Sequence, residues 1–162
     1  MSSMLTALSR LSFELDPTLD VQSPLLAQAL AIWQDARGPR EFPARSDFDP
    51  VALPAALLPH ILLVDIEHEP RRRFRWRLIG THITEVMGRD STGRYWDEIY
   101  EPAMLDAIGT GPRWVLEHRG PIRSLGMAPL PGRAHLRSEN LDLPLSSDGQ
   151  CIDMLLVVSI YG

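Results

Sequence analysis

The densest group of chemically active side chains in this sequence is a run of arginines between residues 71 and 77. Its members are Arg71, Arg72, Arg73, Arg75 and Arg77. Guanidinium groups hold phosphates and carboxylates through paired N–H donors, so such a run can bind an anion. Acids precede it at Asp65, Glu67 and Glu69. Because these acids would face the arginines across a strand pair and cancel their charge, we interpret the run as the charged rim of a sheet. It is an anion-binding floor only if the acids point elsewhere.

The other side chains that support catalysis or metal binding lack the spacing that either one requires. Neither H-x-H nor H-x-x-x-H occurs, so we predict no metal site from the histidines His60, His68, His82, His118 and His135. No serine lies in a G-x-S-x-G segment. The loop 88–93 lacks the lysine of a phosphate-binding loop, and we interpret it as a helix end in which Arg89 and Asp90 form a local ion pair. We therefore predict no catalytic residue and no enzyme.

Composition excludes several cofactors and partners. All sixteen basic residues are arginine, and without lysine the chain cannot form a Schiff base to PLP. A net charge of −5 argues against nucleic acid or an anionic membrane as a partner. No stretch approaches the roughly 20 apolar residues that span a bilayer. The single cysteine, Cys151, cannot form an internal disulfide, and we expect a cytoplasmic protein.

Apolar spacing at the start of the chain predicts two amphipathic helices. The first is indicated by Met4, Leu5, Leu8, Leu11 and Leu15. The second begins at Pro24 and ends before Gly38, with one face formed by Leu25, Leu26, Ala29, Ile32 and Trp33. We assign residues 1–39 to an N-terminal helical extension and residues 40–162 to the main domain.

The main domain alternates between strand and helix patterns. Residues 61–66 and 74–78 predict two strands, followed by short helices near 83–87 and 95–100 and a longer helix from 101 to 118 that is interrupted at 109–112. Three more strands are predicted over 121–127, 134–145 and 151–161, with a turn at 129–133. Strands separated by a block of helices indicate an α+β fold with an antiparallel sheet. The last strand is apolar on both sides, which places it in the middle of that sheet.

Four segments together resemble a known family. They are PARSDFDP, LLPHILLVDIE, FRWRLIGTHITEVMGRDSTGRYWDE and DGQCIDMLLVVS. From about Trp33 to the C-terminus the chain is similar to the single-domain PAS family of alphaproteobacteria, the PAS_5 group. The resemblance implies a five-stranded antiparallel sheet with helices on one face, to which the N-terminal helices are added.

The resemblance also bears on the cofactor, whose identity stays unknown at this stage. Flavin-binding relatives carry a Gly-Arg-Asn-Cys segment whose thiol forms the flavin adduct, whereas the similar stretch here ends at Ser91. A hydroxyl cannot replace a thiolate, so we expect no flavin adduct. Haem-binding relatives use a histidine on the long helix. His118 lies at the predicted end of that helix, so we expect it to face solvent or to cap, and we expect no haem.

Large apolar side chains form the candidate lining of a cavity between the helices and the sheet, or else plain core: Trp76, Tyr95, Trp96, Met104, Ile108 and Trp114. We expect a sensory or signalling module that binds a small molecule, a partner protein or both, without catalysis. The N-terminal helices are the candidate surface for a partner or a homodimer. Two alternatives stay open. One is a purely structural dimerisation module, and the other is a small enzyme on a cone-like α+β fold, with His82 paired to an Asp.

Overall fold

A computed structural model describes residues 12–49, 51–128 and 136–162 of the 162-residue chain. Its strands are β1 (Ser12–Asp16), β2 (Ile61–Glu67), β3 (Arg73–Ile79), β4 (Ile122–Ala128), β5 (Leu136–Leu145) and β6 (Met154–Tyr161). Its α-helices are α1 (Pro24–Arg37), α2 (Thr81–Met87), α3 (Trp96–Ile99), α4 (Pro102–Ile108) and α5 (Thr110–His118). Two short 3-10 turns, Arg45–Asp47 and Leu58–His60, lie between α1 and β2.

The described strands form one antiparallel sheet in the order β1-β4-β5-β6-β2-β3. The predicted α+β class is confirmed. The last strand, β6, lies between β5 and β2, as its apolar residues on both sides predict. The arginine-rich strand β3 forms one edge, also as predicted.

The sheet has six described strands instead of the predicted five, because the first helix prediction is wrong at its C-terminal end. Residues 12–16 form β1, which pairs with β4 from Ser12 opposite Met127 to Asp16 opposite Arg123. Phe13 and Leu15 alternate with polar neighbours at the period of two that a strand has. Of the two, only Leu15 also fits the helical spacing, because it lies four residues after Leu11. Pairing with β1 satisfies the backbone N–H and C=O groups along the free edge of β4, which a helix at this position would leave unpaired. The other residues of that prediction, Met4 to Leu11, lie outside the described part of the chain.

Helix α1 covers one side of the sheet, which we call the outer face. Its boundaries match the prediction, with Pro24 in the first turn and Gly38 after the last. Leu26, Ala29 and Trp33 are buried, and Trp33 Nε1 donates to the Pro144 carbonyl at 2.9 Å. They share a core with alternate residues of the central strands: Leu141, Leu143, Leu145, Leu156, Val158, Ile61 and Leu63. The predicted boundary between residues 39 and 40 stays a prediction, although α1 buries its apolar face against this sheet.

Helices α2 to α5 cover the opposite side, which we call the inner face. The intervening residues of the same strands, such as Val64 and Leu155, share a second core with Trp96 and Val115 from the helices. The described helices of the main domain therefore lie on one face, as the resemblance implies, while the N-terminal helix α1 takes the other. Gly88 ends α2 in the left-handed conformation at φ 77°, as its place after the apolar residues predicts.

Candidate functional site

Ion pairs join the arginines of β3 to acids on two neighbouring elements. Asp65 lies opposite Arg75 in the β2–β3 register, and Arg75 Nη2 is 2.7 Å from Asp65 Oδ2. The same carboxylate is 3.8 Å from Arg77 Nη1. Arg73 finds its partners on α3 instead, where its Nε donates to Asp97 at 2.8 Å. Of the three predicted acids only Asp65 pairs with the arginines, since Glu67 accepts from the Tyr95 hydroxyl and Arg73 pairs with Asp97 instead. The interpretation as a charged rim is thus confirmed for Asp65 alone.

An open cleft of about 310 Å³ runs along this rim on the outer face. Positive and negative side chains line it together: Arg45, Arg75, Arg77, Asp65, Glu67 and Asp153. Because three positive and three negative side chains line it, the cleft offers an anion little net attraction. The rim is better explained as a protected edge strand than as a binding floor.

Most of the predicted cavity lining comes together on the inner face. Trp76, Trp96, Ile108 and Trp114 belong to one apolar cluster there. The ring centroids of Trp76 and Trp96 are 4.8 Å apart, and Trp76 Nε1 donates to the Tyr100 hydroxyl at 3.0 Å. The indole nitrogen of Trp96 is buried and has no acceptor among the described residues. Their role as a ligand lining stays a prediction.

Two members of the predicted lining lie elsewhere. Tyr95 bridges to Arg75 at the rim, where its hydroxyl donates to Glu67 and the Arg73 guanidinium lies 3.7 Å from its ring centroid. Since it precedes α3 beside the edge strand, the cationic rim holds its ring outside the core. Met104 is half-buried and belongs to neither apolar core.

His118 is exposed, as expected from its place at the end of α5. It stacks on Trp114, with ring centroids 4.2 Å apart.

Five buried polar side chains lie together on the inner face, and we call them the polar floor. They are Ser124, Ser138, Asn140, Asp142 and Ser159, each no more than 8% exposed. Three of them form a row, because Asn140 on β5 lies opposite Ser124 on β4 and opposite Ser159 on β6. Asn140 Nδ2 donates to Ser138 Oγ at 3.0 Å, so its amide nitrogen is partnered. The floor occupies the middle of the sheet, where a closed core would be apolar.

Asp142 is the most unusual member of the floor. It is 6% exposed, and no described residue donates a hydrogen bond to its carboxylate or forms an ion pair with it. The first turn of α5 lies against it so closely that a Cβ added to Gly111 would be 2.5 Å from Asp142 Oδ2. Pro112, the next residue of that turn, has no N–H to offer. Burial raises the pKa of Asp142 to about 7.

Beyond the polar floor, along β6, two histidines and a tyrosine meet. The ring centroids of His60 and His82 are 4.3 Å apart. The Tyr161 amide donates to His82 Nε2 at 3.3 Å, so that nitrogen is unprotonated. Burial, with a smaller contribution from His60, lowers the pKa of His82, and burial raises that of Tyr161 to about 12. The enzyme alternative required an Asp beside His82, and the described contacts of His82 include none.

Two further predictions concern the loops and the metal. In the 88–93 loop Asp90 accepts from the Thr92 amide at 2.9 Å, which is a local turn bond in place of the predicted pair with Arg89. Within residues 12–49, 51–128 and 136–162, no three acidic, histidine or cysteine side chains cluster as a metal site would need. No helix in that part of the chain is long and apolar enough to cross a bilayer.

The polar floor is the part of the site that sequence reasoning missed. A signal existed in the segment LRSENLDLPL, where Asn140 and Asp142 alternate with Leu141 and Leu143. Such alternation normally means that one face meets water. On a strand that pairs on both sides and lies beneath helices, it indicates buried polar groups instead.

Comparison with known families agrees with this architecture. The PAS_5 model, described as a PAS domain, matches residues 21–158, which is most of the chain. The protein belongs to this family of PAS domains, a class of sensory and signalling modules. Comparisons with curated proteins and with solved structures gave no match.

Proposed function

We propose that this PAS domain is a sensory module that binds a small molecule over the polar floor and acts by binding alone, without catalysis. The observation that carries the proposal is the row of polar side chains across β4, β5 and β6, with the carboxylate of Asp142 beside it. A polar group buried without a partner costs about 1–3 kcal/mol. A ligand that supplies the missing partners would recover that cost.

The surroundings of the polar floor support the same proposal. Ligand sites are mostly apolar, with a few polar groups that orient the ligand. Here the indoles of Trp76 and Trp96 belong to the apolar core of the same face, and Ser124, Asn140 and Ser159 supply hydrogen-bonding groups. The absence of lysine and the serine at position 91 support a ligand other than PLP or a flavin adduct. The single cysteine supports the cytoplasm as its compartment.

A second candidate function, a protein-interaction module, is supported by two exposed apolar side chains. Leu125 and Met127 on β4 are 40% and 41% exposed, and they lie on the outer face. This surface, more than α1, suits a partner or a second copy of the chain, because the apolar side of α1 already packs on the sheet. The two functions are compatible, since a PAS domain can pass a ligand-induced change to a partner.

Native mass spectrometry of protein purified from its own host tests the ligand proposal directly. We expect a non-covalent excess mass on the wild-type chain and its loss in Asn140→Leu, which keeps the volume but removes the hydrogen bonds of the floor. Arg137→Ala is the matched control, because Arg137 is exposed on the same strand, and it should retain the mass. Circular dichroism confirms that both variants are folded. Wild-type protein without excess mass, and without a thermal shift in a metabolite panel, would overturn the proposal.

A further inference from the structure

The described groups that face the Asp142 carboxylate carry no charge. Cross-strand neighbours are Ile122 on β4 and Val157 on β6, and the residue of α5 above it is Gly111. On its own strand and face the neighbours are Asn140 and Pro144. The buried arginine nearest along the sheet, Arg123, belongs to the outer face, where its Nη1 pairs with Asp16 and its Nε with Glu139. No described cation therefore neutralises Asp142.

The Asp142 carboxylate also lacks a hydrogen-bond donor among the described residues. A carboxylate only accepts hydrogen bonds, and Asn140 directs its amide N–H groups toward Ser138 and the Ser124 carbonyl. The Ser124 and Ser159 hydroxyls can each donate or accept a hydrogen bond. The Asp142 carboxylate has no described donor, so a ligand that completes it has to bring donors.

Resting on the function proposed above, we propose that Asp142 is the anchor for a small organic cation with N–H donors, of the amidine or primary amine type. A carboxylate and an amidinium match through two parallel N–H···O bonds, which are stronger than bonds between neutral groups. The ligand's charge would neutralise the one unpaired carboxylate that the described inner face buries. Neutral and anionic ligands of the same shape lack this match.

Three probes of nearly equal shape and different charge separate these cases: benzamidine, benzamide and benzoate. We expect isothermal titration or chemical-shift titration to show that benzamidine binds wild-type protein and that the other two bind at least tenfold more weakly. Only the ionised carboxylate forms this pair, and its pKa is raised to about 7. Benzamidine should therefore bind about tenfold more tightly at pH 8 than at pH 6, since an amidinium stays charged over this range.

Asp142→Asn is the specific variant, and it should abolish both benzamidine binding and its pH dependence. Glu14→Gln, an exposed acid on the outer side of β1, should leave both unchanged. The pH profile of the wild-type protein is a readout that needs no variant. Equal binding of benzamide, or pH-independent binding of benzamidine, would overturn the cationic class while the sensory proposal stands. If the host-purified protein also carries no excess mass and the metabolite panel gives no thermal shift, the proposed function itself fails.

Discussion

Two acids on β5, the partly buried Glu139 and the buried Asp142, lie three residues apart and face opposite sides of the sheet. Glu139 on the outer face accepts from Arg123 Nε at 2.7 Å and from the amides of Gln22 and Ser23 at 2.8 Å each. Asp142 on the inner face has no donor among the described residues. Burial tends to raise the pKa of Glu139, but these donors outweigh it and lower the pKa, whereas burial alone raises that of Asp142 to about 7.

The difference separates a structural acid from a candidate functional one. The Glu139 carboxylate joins β4 to the start of α1, and Arg123 extends the link to β1 through Asp16. Each charge there is partnered, so removal of one member would leave another charge uncompensated in a largely buried position. Asp142 destabilises the unliganded fold whenever it is ionised. Acids perturbed in this way are concentrated in binding and catalytic sites.

Removing Glu139 should have the largest effect. Glu139→Ala deletes the acceptor of two amides and leaves Arg123, which is 7% exposed, with Asp16 as its one described acid. We expect a loss of about 4 kcal/mol in the free energy of unfolding, measured by urea denaturation at pH 7. The contribution should be present above the ordinary glutamate pKa and disappear as pH falls below it, because the pKa is lowered in the fold.

Glu14→Ala is the control for this prediction, since Glu14 is an exposed acid on the neighbouring strand β1. Its effect should stay within about 0.5 kcal/mol. Equal losses from the two variants would show that the Glu139 cluster is no more than a surface network.

Asp142 should respond to pH in the opposite direction. Because its pKa is higher in the fold than in the unfolded chain, the folded protein keeps a proton that the unfolded chain releases, and stability falls as pH rises toward 7. Asp142→Asn removes this dependence. We expect its unfolding free energy, relative to wild type, to increase by about 3 kcal/mol between pH 5 and pH 8, measured by urea denaturation without ligand. A flat difference across that range would mean that Asp142 ionises as an exposed carboxylate does.

Hydrophobic period and turn residues predicted most of the fold, because each element carries its own local signal. The α1 boundaries follow from Pro24 and Gly38, and the middle position of β6 follows from its apolar residues on both sides. The segment 12–16 was predicted wrongly because Leu15 continues the helical spacing of the preceding residues. Whether it forms a strand instead depends on the edge of β4, which is far away in sequence. Local pattern contains no information about such an edge.

The candidate site was less predictable for a related reason. Aromatic residues predicted part of the inner face, with Trp76 and Trp96 in contact, because large apolar side chains seek the core wherever they stand. The polar floor depends on which side of β5 the helices cover. Asn140 and Asp142 therefore look like solvent-facing residues until α5 is placed above them. The same holds for Arg73, whose partner Asp97 lies 24 residues away on α3.

The contact between α5 and Asp142 gives the smallest of the three predicted changes in unfolding free energy. It is also the most direct test of the difference between Asp142 and Glu139. In Gly111→Ala the new Cβ would lie 2.5 Å from Asp142 Oδ2, so either the carboxylate or the helix must shift. We expect a net cost of about 2 kcal/mol by urea denaturation, even though alanine favours the helix by up to about 1 kcal/mol. Gly120→Ala, where nothing lies within 4 Å of the added Cβ, should cost nearly nothing.

A double mutant assigns that cost to the carboxylate. With Asp142→Ala in place, the nearest remaining contact of the new Cβ is Ile122 Cγ2 at 3.8 Å, an ordinary distance. Gly111→Ala should then become neutral or slightly stabilising, because only the helix preference is left. Glu139→Ala, on the other side of the same strand, should leave the cost of Gly111→Ala unchanged. If Gly111→Ala remains destabilising in both the Asp142→Ala and the Glu139→Ala variants, α5 packs on the backbone of the sheet. The Asp142 side chain then does not set the distance between α5 and the sheet.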